Sequence, residues 1–478
     1  MKFLNITVFL LCAAAIGCQQ SKNQAGIRVV PAAPERSSNS PEDYLAYPDG
    51  SFLLENARVV SGLGAPTREG VDVAIVDGTI VGVGTNLQPP EGATRIDLTG
   101  HTVLPGLVHM HEHFNYMSSP FHDYDTLIVD PHPFSMPKLF LSAGVTTVRT
   151  AGTDAIAHDS ALRRMIEAGE ALGPRVSMTG HIVDGPGVPL LINIATYEEG
   201  RQFVRSQVPF GVTSIKVYSQ TPPEALRGVL DEAHAHGLHV AGHLGSGTSC
   251  TEAAALGIDT IEHGFQTCIQ DLPALRDRES PFRLEENLDA IDALIATLVK
   301  NGVVMVTTPS GGRAANYSEE ARSVFAPAMR DALERIGLEE GNRSESGNPT
   351  LVLSVKDETR KIERRFVDAG GRLLMGADAM YLPIIPGYAN QDVMVELART
   401  FTPLEVIRMA TADAAAFLGM GDTVGQVAPG FAADLLITRG RPDVRMADIR
   451  DVALVFSRGR ALDPVRLREA ARGRVGYD

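Results

Sequence analysis

The sequence contains few cysteines, no excess of basic residues and no long apolar run, and each of these features marks a common class of protein. Only four cysteines occur in 478 residues. Cys12 and Cys18 lie in an apolar N-terminal segment, which leaves Cys250 and Cys268 for the body of the protein. Two cysteines do not make the disulfide framework of a small secreted scaffold. They either pair in an oxidising compartment or stay as small buried apolar side chains, and we expect the second.

Acidic residues outnumber basic ones, with 58 Asp+Glu against 43 Lys+Arg and a formal net charge of −15. A nucleic-acid partner needs a basic stripe that neutralises phosphates, so this balance argues against one. Hydrophobic and charged contents of 44% and 21% are ordinary for a globular protein. The length is sufficient for a large core and for more than one structural unit.

The N-terminus carries the apolar run "FLNITVFLLCAAAIG" after Lys2, which is too short for a membrane-spanning helix. Its end, "AAIGCQQ", resembles a bacterial lipoprotein signal. We therefore predict a signal peptide at 1–18 with Cys18 lipidated, and an ordinary secretory signal is the alternative. Residues 19–45 are polar and rich in Ser, Pro and Ala, which predicts a flexible tether.

The residue after the predicted lipidation site indicates a location. Gln19 stands where an aspartate would resemble an inner-membrane retention signal. We therefore expect a cell-envelope protein on the periplasmic face of the outer membrane. Its contact with the membrane would be through the lipid anchor alone.

Both ends of the remaining chain are rich in strand-like segments, at 71–84, 433–440 and 452–462. In the first, "VDVAIVDGTIVGVG", apolar residues alternate on both sides of Asp77-Gly78, which predicts a β-hairpin. From 105 to 425, strand-like and helix-like segments alternate. This order predicts an α/β fold, a (β/α)8 TIM barrel at 105–425 with a small composite β-sandwich domain made from 46–104 and 426–478. The eight strand candidates are 104–111, 145–150, 174–180, 212–218, 238–243, 258–263, 303–308 and 372–378.

Three histidines stand on alternate residues in "VLPGLVHMHEHF": His109, His111 and His113. Strand spacing would place their side chains on one face, and neutral imidazole is the commonest protein ligand for zinc-like metals. A lone histidine would more often be a solvated polar residue, so partners elsewhere decide the question. Active sites of barrels lie at the C-terminal ends of the strands. Polar side chains near the other predicted strand ends are Arg149, His181, Lys216, His243, His263 and Asp378.

Five of these side chains can serve as metal ligands: His111, His113, His243, His263 and Asp378. Two divalent metals would still need a bridging ligand between them. Lys216 follows Ile215 in a buried strand, where loss of hydration lowers the pKa of an amine. A neutral amine can add carbon dioxide to form a carbamate, whose two oxygens could serve two metals. The alternative is a structural ion pair with a nearby carboxylate. Because His111, His113, His243 and His263 all stand at predicted strand ends, we favour the Lys216 carbamate as a bridge between two metals.

Five segments in this order, "VLPGLVHMHEH", "SIKVY", "VAGHLG", "IEHG" and "MGAD", resemble the metal-dependent amidohydrolase superfamily. Within it they are most similar to the imidazolonepropionase-like and Xaa-Pro dipeptidase-like branch, and the resemblance runs from about residue 50 to 465. True imidazolonepropionases lack the bridging lysine, so "SIKVY" favours the dipeptidase-like members. The resemblance implies one buried metal ion on His111, His113 and Asp378, a second on His243 and His263, and a Lys216 carbamate between them.

Zinc is the default metal for this donor set, with Mn, Co or Fe as alternatives. Two departures from the family pattern concern the surroundings of the metals. His109 stands where the family usually has an acidic residue, and "YANQDVMVEL" (388–397) replaces a usual His-x-Glu-Leu segment. The segment with Asn390, Gln391 and Asp392 therefore departs from the family where the substrate loop is expected, whereas the six metal ligands match it.

The resemblance implies a metal-dependent hydrolase of amide bonds, with dipeptides or N-acyl amino acids as its small-molecule substrates. A hydroxide bridging two metals would attack the carbonyl, and Asp378 would act as general acid and base. His181 is a candidate to hydrogen-bond the carbonyl oxygen, and Tyr218 or Arg149 to meet a substrate carboxylate; each could equally be a structural polar residue.

Two rival interpretations remain. The same metals could act on a cyclic amide, a lactone or a phosphotriester. A non-catalytic ligand-binding lipoprotein is disfavoured, because all six metal ligands are present. The sequence leaves open whether the chain forms a homo-oligomer.

Overall fold

A computed structural model describes residues 40–117, 129–187, 191–268, 270–272, 284–309, 317–334 and 349–476. The predicted signal peptide, Cys18 and most of the predicted tether lie outside these residues. Within the described ranges, no helix has both the length and the apolar character needed to cross a membrane.

The strands are, in chain order, β1 (Phe52–Val59), β2 (Arg68–Val76), β3 (Thr79–Gly84), β4 (Thr94–Asp97), β5 (His101–Pro105), β6 (Leu107–Glu112), β7 (Asn115–Met117), β8 (Val129–Pro131), β9 (Val145–Thr150), β10 (Arg175–Ser177), β11 (Thr179–Asp184), β12 (Ile192–Asn193), β13 (Ser214–Val217), β14 (His239–Gly242), β15 (Thr260–Glu262), β16 (Val304–Thr307), β17 (Arg372–Met375), β18 (Leu435–Arg439), β19 (Val452–Ser457) and β20 (Arg460–Leu462). The α-helices of the described residues are Ser135–Ser142, Ile156–Glu167, Tyr197–Gln207, Pro223–Ala235, Cys250–Leu256, Leu288–Lys300, Glu319–Arg322, Pro349–Asp368, Tyr388–Leu397, Pro403–Met409, Ala412–Phe417 and Pro464–Ala471.

Every predicted barrel segment contains a strand, and helices separate most of them. The helices bury one apolar face, as Leu288–Lys300 does with Ile291, Leu294, Ile295 and Leu298. This spacing of three and four residues places the four side chains on one side of the helix. The strands pair in parallel, which is the arrangement of a TIM-barrel-type α/β fold.

The strand pairing does not form one closed ladder. It gives a three-stranded sheet, β10-β9-β6, and a seven-stranded sheet, β12-β11-β13-β14-β15-β16-β17. The predicted third strand is divided into β10 and β11, and side-chain bonds replace the ladder at the break: Thr179 N donates to Thr150 Oγ1 at 2.8 Å. At the other side, Asp378 N donates to His111 O at 3.0 Å, so the end of β17 lies beside β6. The prediction of a closed barrel is therefore corrected to a barrel-type fold with two ladders.

The terminal strands form one sheet rather than two. Its order is β20-β19-β18-β5-β1-β2-β3, with β4 paired to β1, so both ends of the chain contribute to it. The pairing does not confirm the predicted β-sandwich. The predicted hairpin is confirmed, because β2 and β3 are antiparallel and Asp77 and Gly78 have φ of 47° and 72°, as a two-residue hairpin turn requires.

Two segments bear on the predicted boundaries. The 3-10 helix Pro41–Tyr44 lies within the residues predicted as tether, and its Tyr44 is buried. At the other end, the helix Pro464–Ala471 buries Leu467 in the core of the barrel rather than in that of the terminal sheet. Gly476 N also donates to Nε2 of the buried His132, at 2.8 Å. Apolar contacts with residues distant in sequence hold both segments.

Cys250 and Cys268 form a disulfide, which overturns the expectation that they stay unpaired. Cys250 begins a helix that follows β14, and Cys268 lies just after β15. Neighbouring parallel strands bring the chain segments that follow them side by side, so the two Cα atoms are only 5.3 Å apart despite a separation of 18 residues. The bond therefore joins the segments that follow His243 and His263.

Candidate metal centre

The six predicted ligands lie at or just beyond the C-terminal ends of five parallel strands. His111 and His113 belong to the end of β6, Lys216 to β13, His243 to β14, His263 to β15 and Asp378 to β17. Donor atoms of His111, His263 and Asp378 all lie within 4.8 Å of one another, which is close enough for one metal ion.

The carboxylate of Asp378 is the centre of this group. Its Oδ1 lies 3.2 Å from Nε2 of His113 and 3.5 Å from Nε2 of His111, and its Oδ2 lies 3.9 Å from Nδ1 of His263. Asp378 and His263 have φ of 51° and 62°, in the left-handed region. Residues with side chains rarely adopt this conformation, which persists where the surrounding structure enforces it and is common at functional sites.

Hydrogen bonds on the far side of each ring orient the histidines. Nδ1 of His111 donates to Glu262 Oε2 at 2.6 Å, and Nδ1 of His113 donates to Gly152 O at 3.1 Å. Nε2 of each ring is then left facing Asp378. Metal-binding histidines usually have this arrangement, in which the outer bond fixes the tautomer and the ring orientation.

The remaining two ligands have donor atoms that the protein itself does not use. The ring of His243 lies 4.2 Å from that of His263, centroid to centroid. Lys216 is 2% exposed. Across the described ranges, no hydrogen bond or ion pair involves Nζ of Lys216 or a ring nitrogen of His243. Lys216 is buried and His243 is half-buried, so both offer unused donor atoms to a ligand bound at the centre. Together with the group around Asp378, they fit a set of divalent-metal ligands.

Burial sets the protonation states that metal binding requires. Burial, with the charges of Lys216 and His111, lowers the pKa of His243 to about 3. Burial also lowers the pKa of Lys216 to about 8 and that of His263 well below its usual value. Burial opposes ionisation of Asp378, but the neighbouring His111 and His113 hold its pKa well below the usual range. The imidazoles of His243 and His263 are therefore neutral and Asp378 is a carboxylate, which are the forms that bind metals.

Arg149 lies inside the barrel rather than at its mouth. It is 1% exposed, and its three guanidinium nitrogens donate to Met110 O at 2.7 Å, Thr260 Oγ1 at 3.2 Å and Glu262 Oε1 at 2.6 Å. Each of its three nitrogens thus has a partner in the protein, and the side chain is buried. This arrangement favours the structural alternative over substrate contact: Arg149 holds Glu262, and Glu262 holds His111.

Glu262 is the residue of this site that sequence reasoning missed. Burial alone would raise its pKa, but Arg149 and His111 hold the pKa of Glu262 well below its usual range. A signal was present in "IDTIEHG", where a carboxylate occupies an otherwise apolar strand next to His263. Buried carboxylates are rare unless they are paired, and here the partner lies far away in the sequence.

We expect Glu262→Gln to weaken Zn²⁺ binding by about 10- to 100-fold, because loss of an outer partner has this effect on ligating histidines. The amide keeps the shape but removes the charge that His111 and Arg149 share. The free Zn²⁺ concentration at half-occupancy, set with chelator buffers, is the measurement. Glu363→Gln is the matched control. Glu363 is also a buried carboxylate paired with an arginine, Arg360, at 2.8 Å, but it accepts its other hydrogen bond from Thr307 rather than from a candidate metal ligand. Equal Zn²⁺ affinities in Glu262→Gln, Glu363→Gln and the parent would contradict the role of Glu262 in holding His111.

His181 and Tyr218 border the centre. Nδ1 of His181 donates to Thr153 O at 2.9 Å, which leaves its Nε2 without a partner in the described part of the chain. The ring of Tyr218 lies 4.3 Å from the ring of His243, and burial raises the pKa of Tyr218 to about 12. Both remain candidates for substrate contact.

His109 does not share the face of the other two histidines. Its Nδ1 lies 3.0 Å from Asn390 Nδ2 and 3.3 Å from Glu112 Oε1, away from Asp378. The pairing of β6 with β9 shifts register between His109 and Glu112, so strict alternation fails there. The prediction that all three rings lean to one face is therefore wrong for His109.

A sequence profile described as "Amidohydrolase family" matches residues 102–462. An adenine deaminase of Oceanobacillus iheyensis is 22% identical over 416 residues, 84% of this chain and 55% of that protein. The chain thus spans little more than half the length of this relative.

Two solved structures are similar in fold. One is a prolidase candidate from Bifidobacterium longum, with a TM-score of 0.63, 24% identity and coverage of 89% of this chain and 100% of that chain. The other is a Xaa-Pro dipeptidase with methionine bound in the active site, with a TM-score of 0.64, 21% identity and coverage of 87% and 100%. The profile covers most of the sequence and includes all six candidate ligands, so the chain belongs to the amidohydrolase family.

Proposed function

We propose that the chain hydrolyses amide bonds in small substrates, with dipeptides or N-acyl amino acids as the preferred class. One observation carries the proposal: Lys216 is 2% exposed and its Nζ has no partner in the described residues, at the edge of a His and Asp cluster. The prolidase candidate from Bifidobacterium longum and the adenine deaminase of Oceanobacillus iheyensis are both named for reactions at carbon–nitrogen bonds, which supports this reaction class.

The ligand residues would divide into two groups, as the family resemblance implies, with His263 close to both. His111, His113 and Asp378 would hold one ion, and His243 and His263 the other. When bound, two divalent ions, zinc by default, would supply a water that is nucleophilic at neutral pH and would polarise the substrate carbonyl. The ring nitrogens that face away from these ions keep the imidazoles oriented, as the bond from His111 to Glu262 does.

Lys216 would join the two groups as a carbamate. A largely buried amine whose pKa is lowered by burial, with no carboxylate in an ion pair with it among the described residues, is disposed to react with carbon dioxide. The structural ion pair that was the alternative for Lys216 is absent from the described residues. The carbamate would carry the negative charge that two cations in one cavity require.

Asp378 would move the proton. Its carboxylate lies 3.2 Å from Nε2 of His113 and would accept a proton from the attacking water and deliver it to the leaving amine. His181 would hydrogen-bond the carbonyl oxygen of the substrate, and Tyr218 would contact its carboxylate. These two roles rest on position alone.

The test is a substrate panel on the metal-loaded protein without residues 1–39, because those residues precede the described fold. The panel contains dipeptides, N-acyl amino acids, cyclic amides, lactones and phosphotriesters. We expect turnover of linear amides and close to two divalent ions per chain after loading with metal and bicarbonate. Preferential turnover of lactones or phosphotriesters would replace the amide assignment, and at most one bound ion would overturn the two-metal arrangement.

We also propose that Cys18 anchors the protein to the periplasmic face of the outer membrane. The disulfide between Cys250 and Cys268 supports an oxidising compartment, because such bonds persist there and are rare in the cytosol. Several acyl chains on one cysteine would give firm attachment.

We expect Cys18→Ser to move the protein from the membrane fraction to the soluble fraction, or to leave the signal uncleaved. Fractionation of cells, with immunoblotting for the size of the chain, is the measurement. Cys12→Ser is the matched control, because Cys12 lies within the apolar run and would keep the parent behaviour. A Cys18→Ser protein that fractionates and migrates like the parent would favour simple secretion.

A further inference from the structure

A second buried polar cluster adjoins the candidate metal centre. It consists of His109, Glu112 and Asn390, each of which is 0% exposed, and we call it the Glu112 cluster. Asn390 Nδ2 donates to Glu112 Oε1 at 2.7 Å and lies 3.0 Å from Nδ1 of His109. None of the three is one of the six candidate metal ligands, and the proposed chemistry does not use them.

The cluster reaches the metal centre through one backbone amide. Ala377 N donates to Glu112 Oε1 at 2.9 Å, and Ala377 directly precedes Asp378. The next amide, Asp378 N, donates to His111 O at 3.0 Å. Asp378 has a φ of 51°, in the left-handed region that residues with side chains adopt infrequently. The two amides that lead into this position are both hydrogen-bonded, one of them to Glu112.

The far side of the cluster is anchored as well. Asn390 Oδ1 accepts a hydrogen bond from Gly387 N at 2.9 Å, at the start of the helix Tyr388–Leu397. Gly387 has a φ of 81°, and a Cβ there would come within 2.4 Å of Leu139 O. Asn390, which donates to Glu112, therefore lies in the first turn of the helix Tyr388–Leu397. The close approach of Gly387 to Leu139 restricts the start of that helix.

Stability alone does not account for the cluster. Among the described residues, Glu112 Oε2 and His109 Nε2 are buried without a hydrogen-bond partner. A partly satisfied buried network is less stable than an apolar core of the same volume. Its hydrogen bond to the backbone that leads into Asp378 indicates a geometric role instead.

We propose that Glu112 and Asn390 are positioning residues that fix the backbone of Ala377 and Asp378, and with it the direction of the Asp378 carboxylate. They touch neither a substrate nor a metal, and they act through Asp378. The consequence for turnover rests on the proposed function, but the consequence for metal binding does not.

The test compares Glu112→Leu, which removes the acceptor, with Glu112→Gln, which keeps an oxygen for the Ala377 amide. The probe is Zn²⁺ in chelator buffers, and the melting temperature of the metal-free protein is measured in parallel. We expect Glu112→Leu to raise the free Zn²⁺ concentration at half-occupancy by about 10- to 100-fold and Glu112→Gln to stay within about threefold of the parent. The conservative variant thus separates geometry from charge.

Asp72→Leu is the matched control. Asp72 is a buried carboxylate of the terminal sheet that accepts hydrogen bonds from Asn56 N at 3.1 Å and Leu87 N at 3.0 Å. Its loss should lower the melting temperature of the metal-free protein and leave Zn²⁺ affinity unchanged. If Glu112→Leu does not fold, Asn390→Leu removes the donor to Glu112, together with the contacts of Asn390 to Gly387 and His109, and leaves the acceptor of the Ala377 amide in place. The same measurement should show a weakening of at least about threefold.

Parent-like Zn²⁺ affinity in folded Glu112→Leu, or in Asn390→Leu where it is used instead, would overturn the proposal. Equal weakening in Glu112→Gln and Glu112→Leu would also overturn it, because charge rather than position would then matter. Since the measurement needs no substrate, a failed amide panel would leave this result standing. Where turnover is measurable, kcat should fall with KM unchanged, because neither residue contacts the substrate.

Discussion

Replacing Asp378 with asparagine is expected to lower kcat by about two orders of magnitude or more, the scale of a lost general acid–base group. The amide has the size of the carboxylate, and its oxygen can still face Nε2 of His113, which lies 3.2 Å from Oδ1 of Asp378. It cannot take up a proton from water or deliver one to the leaving amine. The measurement is kcat on the best linear amide of the panel, with metal content determined on the same sample so that loss of metal is not mistaken for loss of proton transfer.

Asp259→Asn is the matched control for this prediction. Asp259 lies at the opposite end of the same barrel, before β15, where its Oδ2 accepts a hydrogen bond from Val240 N at 2.7 Å. Residues at that end of a barrel serve stability rather than chemistry, so kcat should stay close to that of the parent. A change below about threefold in a metal-loaded Asp378→Asn protein would remove Asp378 from proton transfer.

Lys216→Ala is expected to lower the metal content below two ions per chain and to reduce activity by at least about tenfold, as loss of a ligand or of its support does. Without the proposed carbamate, two cations in one cavity would lack a shared anion. A short carboxylic acid such as acetate or propionate should restore part of both losses, since it supplies two oxygens in the space left by the side chain. Metal analysis and initial rates, each measured over a series of acid concentrations, follow the rescue.

Lys138→Ala separates this effect from the general cost of removing a buried lysine. Lys138 is also 2% exposed, but its Nζ donates to Phe134 O at 2.9 Å, so its amine already has a protein partner. Its loss should lower the melting temperature without rescue by carboxylic acids. Full activity and two ions in Lys216→Ala without added acid would refute the bridging role.

Local patterns in the sequence were sufficient for the strands and for the residues at their C-terminal ends. An apolar run of four to six residues that ends in a polar side chain identifies a buried parallel strand and its C-terminal end, as "VAGH" does for His243. The ordered series of such segments therefore predicted the barrel-type fold. It also predicted that residues as distant as His111 and Asp378 would meet, because strand ends converge at one mouth. The turn at Asp77-Gly78 was equally local, since its two residues favour the required positive φ.

Partners distant in sequence could not be predicted in this way. Arg149 looked like a group at a strand end, but its side chain turns inward to Glu262, and only packing decides which way a long side chain runs. The contact of His109 with Asn390 depends on a register shift in β6, which no spacing rule reveals.

The sequence by itself therefore determined which residues stand at the strand ends, because side-chain chemistry and periodicity are properties of short segments. The tertiary structure alone decided which groups support them. It divided the third strand into two ladders, joined Cys250 to Cys268, packed the tail at 464–476 on the barrel and placed Glu112 behind Asp378. Each of these depends on which segments distant in sequence come together, and burial of apolar surface is a non-directional force, so local spacing shows which face is buried but not against which partner.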